Sequence, residues 1–193
     1  MPRPKKLIKR NIFALGLLAG AGVIALGALK LKPPTHQVVS ESKISSAEVS
    51  SGFDYLEVPK LNISTPIVYS DSDEESDIQK SLIDGAVHLA GTAMPGETGN
   101  AYFVGHSSNF NNAPGNYNEI FKDLPKIAVG DQILISRGGY KYKFTVYQTR
   151  IVEPTELWVM SQETNGLAVL TLQTSYPVGT SRQRFVAMAR LSR

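Results

Sequence analysis

Two segments of the 193-residue chain hold side chains that could carry covalent chemistry. In Gly99-Asn100-Ala101-Tyr102-Phe103-Val104-Gly105-His106-Ser107 a histidine stands just past an apolar strand, flanked by glycine and serine. In Leu170-Thr171-Leu172-Gln173-Thr174-Ser175-Tyr176-Pro177 a serine ends a second strand, ahead of a proline-containing turn. Arg184 opens the last apolar run. Each has an ordinary explanation by itself: a structural histidine, a turn serine, a solvated arginine. Together they would supply a nucleophile, an acid/base and a cation able to stabilise an oxyanion, the parts of acyl transfer.

Other chemistries find little support. The chain has no cysteine, which excludes disulfides, thiolate metal sites and a cysteine nucleophile. His88 and His106 have no second ligand at helical spacing, so nothing resembles a zinc site, and no glycine-rich phosphate loop with a lysine is present. The acidic run Asp71, Asp73, Glu74, Glu75, Asp77 lacks the spacing of a calcium loop and suits a helix N-terminus, where the dipole favours anions. No cofactor is expected.

Charge is divided unevenly. Residues 1–32 carry Arg3, Lys5, Lys6, Lys9, Arg10, Lys30 and Lys32 and no acid, whereas residues 52–193 are net acidic. The overall pI of about 9.0 therefore belongs to the N-terminus, and a nucleic-acid partner is not expected. Ile12 to Leu29 contains no charged residue. As a helix this run is about 27 Å long, close to the hydrocarbon thickness of a bilayer. Basic residues precede it, so the positive-inside rule places residues 1–11 in the cytoplasm, residues 12–31 across the membrane and the remainder outside. The alternative is a cleaved signal peptide, with Ala25-Leu26-Gly27 as the small-residue site, although the apolar stretch exceeds the usual length. Residues 32–51, rich in serine and polar residues and including His36, read as a tether.

The elements that must position the candidate residues begin at about residue 52. Phe53–Val58, Ile63–Tyr69, Ala101–Gly105, Gln132–Ser136, Tyr140–Val152, Leu167–Thr174 and Phe185–Leu191 are strand candidates, rich in Val, Ile, Tyr and Phe. Gly138-Gly139 can supply the positive φ of a primed hairpin turn. Beyond it Tyr140, Tyr142, Phe144 and Val146 alternate with Lys141, Lys143 and Thr145. Two helices are expected: one from the acidic run to Gly85, using Ile78, Leu82 and Ile83, the other from about Tyr117 to Leu124, stopped by Pro125. The expectation is a mainly β domain over 52–193, a closed barrel or sandwich with one or two short helices.

Over residues 53–193 the chain resembles the sortases. Leu56-Glu57-Val58-Pro59-Lys60-Leu61-Asn62-Ile63 with Thr65-Pro66-Ile67-Val68 is similar to that family's opening strand pair. Gly85-Ala86-Val87-His88, Gly91-Thr92, Pro95-Gly96-Glu97, Gly99-Asn100 and Gly105-His106-Ser107 follow its middle block in order. Leu124-Pro125-Lys126 and Val129-Gly130-Asp131 continue it. Thr171 to Pro177, with Gly179-Thr180 and Arg184, matches the Thr-Leu-x-Thr-Cys signature and its downstream arginine. The resemblance implies a closed eight-stranded β-barrel, anchored in a bacterial cell membrane with its catalytic domain outside. It also implies cleavage of a substrate protein's C-terminal sorting signal of the Leu-Pro-x-Thr-Gly type. The acyl group then passes to an amine on a cell-wall precursor or a pilin.

The same resemblance puts the catalytic acid/base on His106, makes His88 structural or a groove-edge residue, and puts the arginine on Arg184, with Arg182 as runner-up. Where the family has cysteine, this chain has Ser175. A thiol of intrinsic pKa about 8.5 is readily ionised beside cations. A serine instead needs a neutral histidine to take its proton, usually with a third group orienting that histidine. No acid adjoins His106 in sequence. Three explanations are open: an alteration at this one position of an active enzyme, slow natural catalysis by Ser175, or a catalytically silent module that binds sorting peptides or wall precursors. Nothing repetitive or stalk-like favours an adhesin.

Overall fold

A computed structural model describes residues 54–108 and 114–192. The basic tail, the apolar span 12–31 and the tether 32–51 lie outside the described residues, and among those described no helix is long and apolar enough to cross a membrane. Eight strands form a closed barrel: β1 (Tyr55–Val58), β2 (Ile63–Tyr69), β3 (Ala86–His88), β4 (Gly99–Val104), β5 (Gln132–Arg137), β6 (Tyr140–Val152), β7 (Ala168–Tyr176) and β8 (Gln183–Leu191). Their order around the barrel is β1-β2-β3-β4-β7-β8-β6-β5, with β5 closing back on β1. Closure leaves no free sheet edge, which in a β domain would otherwise invite pairing between molecules. The β2–β3 and β4–β7 pairs are parallel and the rest antiparallel.

Expected β2 and β6 coincide with the observed strands, and the others differ by a residue or two at their ends. The three-residue β3 was not among the expected strands; it is too short to show a period and is held by its neighbours on both sides. Gly138 and Gly139 take φ of 56° and 83°, the left-handed pair a primed turn requires, and Arg137 faces Tyr140 across it. Inside the barrel pack Leu56, Phe103, Ile133, Phe144, Leu170 and Leu172, all with no exposed surface. A second apolar cluster, including Leu82, Tyr102, Val104, Val152, Val186 and Met188, lies on the other face of β4 and β8. Both faces of these strands are thus covered, which is why β4 and β8 read as continuous apolar runs.

Helix α1 (Glu75–Ser81) begins in the acidic run as expected, with Glu75 and Asp77 in its first turn, but ends four residues before Gly85. The second expected helix is absent. Residues 117–127 instead make successive i→i+3 turns, Ile120 N to Tyr117 O, Lys122 N to Glu119 O and Leu124 N to Phe121 O, ending in a 3-10 segment Leu124–Lys126. The reason is local. The Phe121 N–H, which an α-helix would direct to Tyr117, donates to the His106 carbonyl at 2.8 Å, and the Phe121 ring is fully buried in the core.

His88 is structural. It is 4% exposed, its ring lies against Tyr69 and Phe103, and its Nε2–H donates to the Ala93 carbonyl at 2.9 Å. The nearby Thr92 hydroxyl gives its own proton to Leu89 O, so it accepts from His88. Burial holds the His88 pKa below the ordinary histidine value, so the folded protein binds fewer protons here than the unfolded chain. The resulting stability is fully present above about pH 6.5 and is lost as pH falls through the lowered folded value. Thermal melts at pH 7.5 and pH 5 should therefore show a lower Tm in acid, and His88→Gln should shrink that difference while lowering Tm at both pH values.

Candidate active site

The site grows out of the β4, β7 and β8 strand ends. Gly105 N donates to Gln173 O at 3.1 Å, carrying the parallel β4–β7 pairing one residue past the end of β4. The Thr174 hydroxyl donates to Gly105 O at 2.8 Å, and with the Phe121 contact this fixes the backbone on both sides of His106. A Cβ on Gly105 would lie 2.4 Å from the buried Phe121 ring, so the close approach requires glycine. Gly105→Ala should cost about 1–3 kcal/mol through overpacking, read as a lower urea midpoint at unchanged m-value, and should also displace His106.

Ser175 lies within β7 rather than at its end, directly opposite Arg184 on β8. Ser175, His106 and Arg184 all line one cavity of about 400 Å³. Arg182, the runner-up, is exposed and is not among the lining residues. The Arg184 Nη1 donates to the Ser181 and Gln183 carbonyls, both at 3.0 Å, which sets the guanidinium and leaves its other nitrogens for a ligand. His106 is half-buried and its Nε2 is enclosed without a hydrogen-bond partner, as is the Ser107 hydroxyl. Burial holds the His106 pKa below the ordinary value, so the ring is neutral at pH 7 with a nitrogen able to take a proton. No carboxylate hydrogen-bonds to it among the described residues. Nor do those residues include a group of three or more His, Asp or Glu that could hold a metal.

The walls come from elements whose role the sequence did not reveal. One is α1 and its continuation, with Ile78 and Leu82; the other is the β6–β7 connection, with Val159 and Met160. That connection is pinned to β4 by two side chains. Asn100 donates from Nδ2 to Val159 O, while Gln162 accepts from the Ala93 and Asn100 N–H groups and donates to Asn100 O and Met160 O. Of the cavity-lining residues Gln173 is held from beneath: the fully buried Tyr102 donates its hydroxyl to Gln173 Oε1 at 2.6 Å. Nothing in the local sequence pattern marks these contacts, because all but the Gln162–Met160 bond join segments about 60 to 70 residues apart.

Residues 56–192 match the family model described as the sortase domain. Among solved structures the fold is similar to sortase C-1 from Actinomyces oris at 23% identity, with a TM-score of 0.62, covering 72% of this chain and 73% of that one. It is similar to sortase C1 of GBS pilus island 1 at 25% identity and a TM-score of 0.62, covering 72% and 64%. It is also similar to a Clostridium perfringens sortase D5 transpeptidase at 25% identity and a TM-score of 0.59, covering 74% and 79%. The comparison with curated proteins finds no match.

Proposed function

The chain belongs to the sortase family, and from that membership we propose that it cleaves a C-terminal sorting signal of the Leu-Pro-x-Thr-Gly type through an acyl-enzyme on Ser175. The observation that carries this reading is the convergence of Ser175, His106 and Arg184 on one cavity. In the first step Ser175 Oγ attacks the scissile carbonyl, neutral His106 takes the hydroxyl proton, and the unspent guanidinium nitrogens of Arg184 receive the oxyanion. Collapse expels the amine of the leaving residue, protonated by His106, and leaves an ester on Ser175. An acceptor amine on a wall precursor or pilin then attacks that ester and restores the hydroxyl. Residues 12–31 hold the domain at the outer face of a bacterial membrane.

The lowered His106 pKa suits this route, since a serine needs a neutral base. The lack of a carboxylate partner for His106 among the described residues favours a second reading, a module that binds sorting peptides without turning them over. Intact-mass measurement after incubation with a sorting-motif peptide separates the two. An added mass equal to the acyl fragment, lost on Ser175→Ala, supports catalysis. Saturable peptide binding with neither adduct nor cleavage supports the silent module, and no binding at all excludes both. Protection of the N-terminal tail, but not the barrel, from protease added outside intact cells tests the membrane assignment.

A further inference from the structure

We propose that Gln173 is a specificity-determining residue that donates a hydrogen bond from its side-chain amide to a carbonyl oxygen of the sorting peptide; this rests on the peptide-substrate reading above. The Thr-Leu-x-Thr-Cys signature leaves this position open, and here it is filled by glutamine. Alternation along β7 puts Gln173 on the same face as Ser175, about 6–7 Å from it, the rise of two extended residues. Both side chains line the cavity. The cross-strand partners of Gln173 are Val104 on β4 and Val186 on β8, so it is a polar group set in an apolar floor.

An amide in that setting needs a defined orientation, and Tyr102 provides it. The Tyr102 hydroxyl, with no exposed surface, gives its proton to Gln173 Oε1. With its oxygen engaged, the amide presents Nε2–H2 as its donor end. An extended peptide with its scissile carbonyl at Ser175 brings a carbonyl no more than two residues away to this donor. A bound ligand without an acceptor there would leave the donor dry and unpaired, which is the physical basis of discrimination.

The test measures binding of sorting-motif peptides to the full chain, comparing the parent peptide with a series in which single backbone amides near the scissile bond become trans-alkenes. Gln173→Leu should weaken binding of the parent peptide about tenfold, the size of one such bond. It should leave unchanged the affinity of the one alkene peptide that lacks the recognised carbonyl. Tyr102→Phe should give a smaller loss confined to the same carbonyl, marking Tyr102 as a positioning residue. If Gln173→Leu is unstable because the Tyr102 hydroxyl loses its acceptor, Tyr102→Phe/Gln173→Leu makes the same comparison with no orphaned group. Equal affinities for parent protein and variant, or a loss equal for every peptide, overturn the proposal alone. Failure of the unmodified protein to bind the parent peptide overturns the substrate class and this proposal with it.

Discussion

Replacing Ser175 with cysteine should raise the rate of sorting-peptide cleavage by at least about 10³-fold at pH 7.5, the largest gain expected of any single change. The physical reason is that no carboxylate among the described residues serves His106 as a third member. A serine hydroxyl depends wholly on its base, and a histidine without its orienting acid forfeits about 10⁴ of the rate of a complete triad. A thiol needs far less help: a few per cent is already thiolate near neutrality and is intrinsically nucleophilic. Ser175 faces Arg184 directly across the β7–β8 ladder, so a thiolate there has a cation in place. Because burial keeps His106 neutral, the thiolate gains little from an imidazolium. The cysteine form should therefore climb in rate with pH toward the thiol's own ionisation, near or somewhat below about 8.5. The serine form should instead lose rate only below about pH 6.5, where the imidazole begins to protonate. Release of the fluorescent fragment of a quenched sorting peptide, followed from pH 5 to pH 9, measures both. A cysteine form no faster than the parent would mean that the cavity does not place the 175 side chain against a scissile carbonyl.

In the cysteine background, Arg184→Ala should cut kcat/KM about 10²–10³-fold and His106→Ala about 10²–10⁴-fold, with both proteins retaining the parent Tm within a few degrees. Arg184 spends one nitrogen on the Ser181 and Gln183 carbonyls and offers the others in a planar fork. A lysine has no such geometry, so Arg184→Lys should recover only a small part of the loss. Arg182→Ala is the control: exposed and outside the cavity, it should stay within a factor of about two, as surface changes ordinarily do. Loss on Arg182→Ala with retention on Arg184→Ala would exchange the two assignments.

How much was legible in the sequence follows from the range of the forces involved. Local preferences speak for themselves: the paired glycines at 138 and 139, the alternation from Tyr140 to Val146 and the acids opening α1 all appear where local pattern puts them. The family motifs put the expected acid/base, nucleophile position and arginine on His106, Ser175 and Arg184 from residue order alone, and these three line one cavity. The expected helix over 117–124 failed for a complementary reason. Its pattern is helical, but the carbonyl of His106 claims the one N–H that the helix needs.

The long strand β6 shows the division most clearly. By alternation alone Val152 shares a face with Phe144 and Val146, which point into the barrel. A bulge between Val146 and Gln148 shifts the register against β8, so Val146 still faces the inward Ala189 while Gln148 faces Met188 and Val152 faces Arg184. The extra residue reverses the faces and delivers Val152 to the cavity wall. By itself the sequence determined which side chains could do chemistry, the β character of the domain and the tight turns, since these depend on residue type and near neighbours. Only the tertiary structure decided the faces, the walls, the neutral state of His106 and the Tyr102–Gln173 contact, since burial and register arise from strands that meet across long separations in the chain.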